Sequence, residues 1–271
     1  MEDLFYDMIF KRKSFHLFGN VKERISKDEL AKIEDFIKQV KPLMEDIKIK
    51  IDIVPASETT CKRGEEYCIL FYSEKKDNYL QNIGYIGEQI DLFLPSLNIG
   101  SLWFGIGKVK EQKYEDLDYV IMIAIAKMDE DKFRKDMFKS KRKELGETWF
   151  GEKYKEIGNI TRFAPSACNS QPWITKEDEN KIVVYRYKKK GKRGIMPIDK
   201  VNYYNKIDIG IYMFFLEICL KKNKVEFERE IYIDNCNDET EKNVNAIYKL
   251  KKEWSNNELL YICKYFKRIR W

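Results

Sequence analysis

Two stretches of the chain carry the same helical stripe of apolar positions. Residues 83–100 place Ile83, Ile86, Ile90, Phe93, Leu94 and Leu97 on one face, and residues 206–223 repeat the spacing with Ile209, Met213, Leu216 and Leu220. Aligning Gly87 with Gly210, an offset of 123, superposes Ile86 on Ile209, Ile90 on Met213, Phe93 on Leu216 and Leu97 on Leu220. Gly100 then meets Asn223, two residues suited to a left-handed helix end. Strand-like runs precede each helix (68–72 and 181–187) and follow it (119–126 and 259–265). Further upstream the pattern predicts helices over 27–40, with Ser26 as N-cap, and over 152–163. The charged stretch 129–147 reads as a joint between halves 1–135 and 136–271. The order of elements predicts an α+β protein built from two diverged repeats and packed as one unit. The alternative is a chance match between two amphipathic helices.

Composition narrows this picture. The 271 residues are 44% hydrophobic and 14% aromatic, which excludes a disordered chain and allows a substantial core. A net charge of +6, from 51 basic and 45 acidic residues, gives a solvated surface with a mild preference for anions. The six cysteines (61, 68, 168, 219, 236 and 263) form no C-x-x-C pair, and a single histidine leaves little for a zinc site. No apolar run approaches the ~20 residues of a membrane span, and residues 1–7 lack a secretory core. A reduced, cytoplasmic protein without a membrane partner is expected.

Four segments carry candidate chemistry. In Lys11-Arg12-Lys13-Ser14-Phe15-His16, cations stand beside a hydroxyl, a combination that suits a phosphate, though exposed basic stretches are common at N-termini. Around His16 no Ser, Cys or Asp constellation forms a triad, so a surface or ligand-contact role is expected. Residues 97–107 hold three glycines with Trp103 and Phe104; they would let backbone approach a ligand, or make a plain helix-to-strand turn. Residues 139–145 form a third basic run containing Lys141 and Arg142. The fourth segment is Ala164-Pro165-Ser166-Ala167-Cys168-Asn169-Ser170-Gln171-Pro172-Trp173, a small-residue loop rich in hydroxyls and amides. Pro165 should end the preceding helix, and Pro172 should force Gln171 into an extended conformation. Such a loop can ring a planar, heteroatom-rich ligand. Cys168 reads as a small filler residue, since no resolving cysteine stands near it. Tyr203 and Tyr204 are candidates for the substrate side. The run Lys188-Lys189-Lys190-Gly191-Lys192-Arg193 reads as a solvated hairpin without a nucleic-acid module.

The decapeptide 164–173 closely resembles the signature loop of the FMN-dependent nitroreductases. Arg12 and Ser14 resemble that family's phosphate-binding run, and residues 97–107 its Gly-rich segment beside the flavin ring. The family's loop, however, follows its phosphate arginine closely, whereas Pro165 lies 153 positions beyond Arg12. In the homodimeric members the loop reaches over from the second subunit. The resemblance therefore implies a fused pseudo-dimer with a nitroreductase-like fold, each repeat a mostly antiparallel sheet flanked by helices. It implies FMN held by Arg12, Lys13, Ser14, His16, Trp103, Phe104, Gly105, Lys141 and Arg142 from one side. Pro165, Ser166, Ala167, Asn169 and Gln171 would close it from the other. His16 stands where the family has a longer cation. Implied partners are NAD(P)H and a small planar acceptor such as a nitroaromatic or quinone, with flavin N5 carrying the chemistry, and one chain acting as a monomer. A flavin-binding protein without turnover, and a polyanion binder resting on the basic runs, remain as alternatives.

Overall fold

Ser26 caps the helix that follows it. Its hydroxyl accepts the Glu29 N–H at 3.2 Å while Glu29 returns a bond to the Ser26 N–H at 2.9 Å, a complete capping box. In the computed structural model, which describes residues 1–19, 22–187, 196–236 and 241–251, this helix is α2 (Lys27–Ile37), after α1 (Glu2–Lys11). The expected strand at 259–265, Cys263 and the basic run 188–193 lie outside the described residues.

The first sheet contains β1 (Ile49–Pro55), β2 (Tyr67–Ser73), β3 (Ile99–Phe104), β4 (Lys113–Tyr114) and β5 (Leu117–Lys127). Its order is β1-β2-β5-β3, with β4 paired to β5 and every pairing antiparallel. Between β2 and β3 runs α3 (Tyr79–Phe93). After the joint come α4 (Leu145–Thr148), β6 (Trp149–Phe150) and α5 (Lys155–Thr161). The second sheet then adds β7 (Trp173–Asp178), β8 (Lys181–Arg186), β9 (Phe227–Ile231) and β10 (Asn243–Leu250), with α6 (Val201–Lys222) between β8 and β9. Its order is β6-β7-β8-β10-β9. Without the short β4 and β6, each sheet is a hairpin, a helix and a second pair whose last strand lies inside. The two sheets thus share one connectivity.

The core is centred on the crossing of α3 and α6. A Cβ on Gly84 would lie 2.0 Å from the Ile207 carbonyl oxygen, and one on Gly210 would lie 1.9 Å from that of Gln81. Only glycine permits such backbone contact. Both helices are buried almost all round, since each is covered by the other and by its own sheet. The contacts are reciprocal: Gly84 meets Ile207 as Gly210 meets Gln81, so position 84 answers to position 210, an offset of 126. The apolar stripes alone had suggested 123. Their spacing of three to four residues fits either register, and only backbone packing separates them.

Other expectations shift as well. α3 begins at Tyr79 and gives way after Phe93 to a tight turn containing Pro95, so residues 99–104 are strand rather than helix exit. The left-handed residue is Asn98 (φ 52°), not Gly100, and beyond α6 it is Lys224 (φ 57°), not Asn223. Gln171 is not extended before Pro172; its φ is 48°. The loop overrides the usual proline restriction by tying the Gln171 N–H to the Ser166 hydroxyl at 3.0 Å. Among the described residues, no helix is long and apolar enough to cross a membrane.

Candidate functional site

The basic N-terminal segment leaves α1 and runs along the edge of the first sheet. Ser14 pairs with Ser101 of β3 in parallel, and the Phe15 N–H donates to the Ser101 carbonyl at 3.0 Å. This register brings Arg12 to Asp91 on α3. Arg12 Nε donates to Asp91 Oδ2 at 2.8 Å, both side chains being buried. Asp91 also accepts the Ser101 hydroxyl and the Trp103 indole N–H, the latter at 3.0 Å. One carboxylate therefore fixes the arginine, the strand and the indole together.

The far end of the Arg12 guanidinium is unpaired: Nη2 is buried and has no partner. Arg186 shows the contrast. It is equally buried, yet binds Asp234, Asn202 and the Cys236 carbonyl, as a structural arginine does. Arg12 lines a cavity of about 460 Å³ with Arg134 and Arg142. Arg142 Nε is likewise buried without a partner. Burial, and then the neighbouring Arg12, push Arg134 down to about 10. Burial, then Arg134, Arg12 and Arg162, push Arg142 down to about 10. Three guanidinium groups meet around one cavity, two of them with a buried donor that has no partner, and such a cluster suits a dianion.

Across this cavity lies the 164–173 loop. Pro165, Ser166, Cys168 and Asn169 line it opposite Arg12, Lys13, Ser14 and His16. A second, more apolar slot opens beside it, sharing Ser14, His16, Pro165, Ser166 and Cys168 and adding Trp103, Gly105, Ala167, Tyr204 and Asp208. Positive φ at Cys168 (50°), Asn169 (53°) and Gln171 (48°) folds the loop tightly against the slot. Such backbone costs of order 1–3 kcal/mol per residue and persists only where tertiary contacts hold it. Here Asp208 Oδ1 accepts the Ala167 N–H at 2.9 Å, and the Asn169 side chain donates to the Lys141 carbonyl at 3.1 Å. Tyr204 closes the other side, its hydroxyl donating to the Gly105 carbonyl at 2.7 Å. A Cβ at position 105 would sit 2.6 Å from that ring, so glycine is required there.

Segments remote in sequence thus meet at one place. Of the predicted site residues, Phe104, Lys141 and Gln171 do not line either space. Phe104 follows Trp103 on the strand and packs into the core on the opposite face of the sheet. Lys141 is exposed and contributes only its carbonyl. Gln171 is buried beneath the loop, where its side-chain oxygen accepts the Lys143 N–H at 2.9 Å. Among the charged residues of the site, Arg134, Asp91 and Asp208 were not singled out from sequence. Arg134 sits in a uniformly charged run and has no local mark. Asp91 and Asp208 do have one, each being an acid set among apolar residues of a helix that is buried nearly all round. Among the described residues, no group of three or more His, Cys, Asp and Glu side chains could hold a metal.

These donors fit FMN. The arginine cavity offers unpaired buried N–H groups for a phosphate, and the adjoining slot offers strand backbone, an indole and a phenol for a flat ring.

A family model described as "Putative TM nitroreductase" matches residues 5–219. The fold is similar to the crystal structure of a "putative nitroreductase" from Thermotoga maritima MSB8, with a TM-score of 0.59 and 19% identity. That match covers 92% of this chain and 94% of the other. A nitroreductase family protein from Clostridium novyi NT aligns with a TM-score of 0.37 and 18% identity, over 47% of this chain and 86% of its own. No curated protein matches the sequence.

Proposed function

The chain belongs to the nitroreductase family whose model spans residues 5–219, and from that premise we propose that it is an FMN-dependent oxidoreductase. Its proposed reaction is NAD(P)H-dependent reduction of small planar electrophiles, nitroaromatics or quinones. The observation that carries the reading is the unpaired, buried Arg12 Nη2 in a cavity shared with Arg134 and Arg142, opposite the 165–169 loop. FMN, when bound, would supply the hydride-accepting and hydride-donating centre.

The chain's own residues bind, orient and exclude water. Arg12, Arg134 and Arg142 would hold the phosphate, with Ser14 and Lys13 beside them. Asp91 keeps Arg12 aimed and holds the Trp103 indole in place, so the wall of the slot is set before any ligand arrives. Pro165, Ser166 and Ala167 cover the slot, and Tyr204 braces Gly105 at its mouth. No side-chain nucleophile is required.

We further infer that the two halves descend from one repeat and act as a pseudo-dimer within a monomer. The offset of 126 supports this beyond the helix crossing. Asn82 accepts the Leu43 and Met44 N–H groups as Asp208 accepts that of Ala167. Glu217 binds Arg229 as Asp91 binds Trp103, twelve residues further along in both cases. At this second position Glu217 also accepts the hydroxyls of Tyr85 and Tyr248. Arg229 is thus held by Glu217 where the first half has the Trp103 indole, with the unpaired Nη2 of Arg12 beside it. One FMN per chain follows. The test is anaerobic addition of NADH or NADPH to FMN-loaded protein. Bleaching of the flavin band, with recovery on adding a nitroaromatic or quinone, is expected. A flavin that neither nucleotide reduces would refute turnover.

A further inference from the structure

Asp208 stands apart from the other ionisable groups of the site. It lies on α6 in the wall of the slot, 3% exposed, and no cation pairs with it among the described residues. Its Oδ1 accepts the Ala167 N–H at 2.9 Å, and its Oδ2 lies 3.3 Å from the Ser170 hydroxyl. The same hydroxyl lies 3.3 Å from Asn205 Oδ1. Ser170 has one hydrogen for two acceptors, so a relay through it needs a second proton, which a neutral Asp208 supplies: Asp208 O–H to Ser170 O–H to Asn205 Oδ1. With Asp208 ionised, the Asn205 amide must turn to donate its now unpaired Nδ2 toward Ser170.

Position 82 shows that the clamp itself needs no carboxyl. There Asn82, an amide, holds the 43–44 loop from the answering place on α3, with bonds of 2.8 and 3.0 Å. The carboxyl at 208 therefore adds a titratable proton to a task that an amide performs. Burial already pushes Asp208 up to about 8, although the Ala167 N–H and Ser170 hydroxyl favour its charged form. The other ionisable groups around it include His16 and Cys168 across the slot and, on α6 itself, Tyr204 one turn before and Tyr212 one turn after. Tyr85 and Glu88 lie on the crossing helix, Arg12 comes from α1, and Arg186 on β8 is spent on Asp234.

We propose that Asp208 is a positioning residue whose protonation controls the grip of the 166–171 loop on FMN, the neutral carboxyl being the form that binds. A ring entering the slot expels water beside Asp208 and makes the charged form costlier still. By linkage, ionisation must then weaken binding, by up to roughly tenfold per pH unit once the group titrates. The ligand's own dianionic phosphate acts in the same direction. This proposal rests on the FMN reading.

The test measures FMN dissociation constants by flavin fluorescence quenching from pH 7.5 to 9.5, above the second phosphate ionisation, for wild type and Asp208→Asn. Wild-type affinity should fall at least about fivefold over this range, while Asp208→Asn, which keeps the clamp as Asn82 does, stays level. Arg134 and Arg142 are common to both proteins, so their effect cancels in the ratio. Parallel profiles for wild type and Asp208→Asn would overturn the proposal while leaving the flavin site intact. Failure of wild type to bind FMN at any pH would instead refute the flavin reading. Thermal unfolding of the ligand-free proteins then decides on Asp208 alone. The Asn variant should gain on wild type from pH 5 to 8 and hold a constant margin above; parallel curves would show that the carboxyl is not held neutral.

Discussion

Arg142→Met separates binding from stability at the arginine cavity. In the free protein Arg142 is shifted from 12.5 to about 10, by burial first and then by the neighbouring arginines. A displacement of that size corresponds to roughly 3 kcal/mol of penalty, which residual solvent contact reduces to about 1–2 kcal/mol. For a cation whose folded pKa lies below its unfolded one, the penalty is present in full below about pH 10 and fades only as pH rises toward 12.5. Against it stand bonds to the Phe163 carbonyl at 3.2 Å and to the Lys141 carbonyl at 2.9 Å, the second a local, exposed contact. Methionine keeps the length and the packing over Phe163 but removes the charge. The ligand-free variant should unfold at the wild-type temperature or up to about 4 °C above it. Its FMN affinity should fall roughly ten- to hundredfold, the loss of a charge-assisted bond worth about 1.5–3 kcal/mol. Differential scanning calorimetry and fluorescence titration measure the two effects on one preparation. A variant losing more than about 2 kcal/mol of stability with unchanged FMN affinity would show that Arg142 is a structural tie and not an electrostatically strained cation.

Three further outcomes are expected. Arg12→Lys keeps a cation beside Asp91 but loses the fork, and Asn169→Ala frees the loop from the Lys141 carbonyl; each should weaken FMN binding about tenfold or more. An effect from only one of them would argue against a composite site. Gly210→Ala should cost at least about 3 kcal/mol in chemical denaturation, because its Cβ meets backbone at 1.9 Å rather than a movable side chain; wild-type stability would rule out the close crossing. Asp208→Asn should gain on wild type by about 1.4 kcal/mol per pH unit between the unfolded value near 3.8 and the folded value of about 8. The folded state holds the extra proton in that window, so wild-type stability falls there as pH rises; the slope is read from denaturant titrations at several pH values.

Much of this was legible in the sequence because local chemistry announced it. Ser26 with Glu29, the two apolar stripes and the small-residue loop at 164–173 each carry their own signal. What stayed hidden depended on contacts between distant segments. The register of α3 against α6 follows from two glycines touching backbone, which apolar periodicity does not encode. Trp103 and Phe104 are adjacent in sequence, yet strand alternation sends only the first to the site. Arg134 looks like its charged neighbours until the fold buries it beside Arg12. Gln171 departs from the proline rule because Ser166 holds its N–H. The acids at 91 and 208, set in apolar helices, were the available clue that the stripes did more than pack.

The most direct measurement of the central claim is a stoichiometric titration of purified protein with FMN, followed by absorbance and by flavin fluorescence. A composite site between Arg12 and the 165–169 loop, with Arg229 at the second position held by Glu217, predicts saturation at one FMN per chain. Saturation at two per chain, or protein that takes up no flavin, would contradict it.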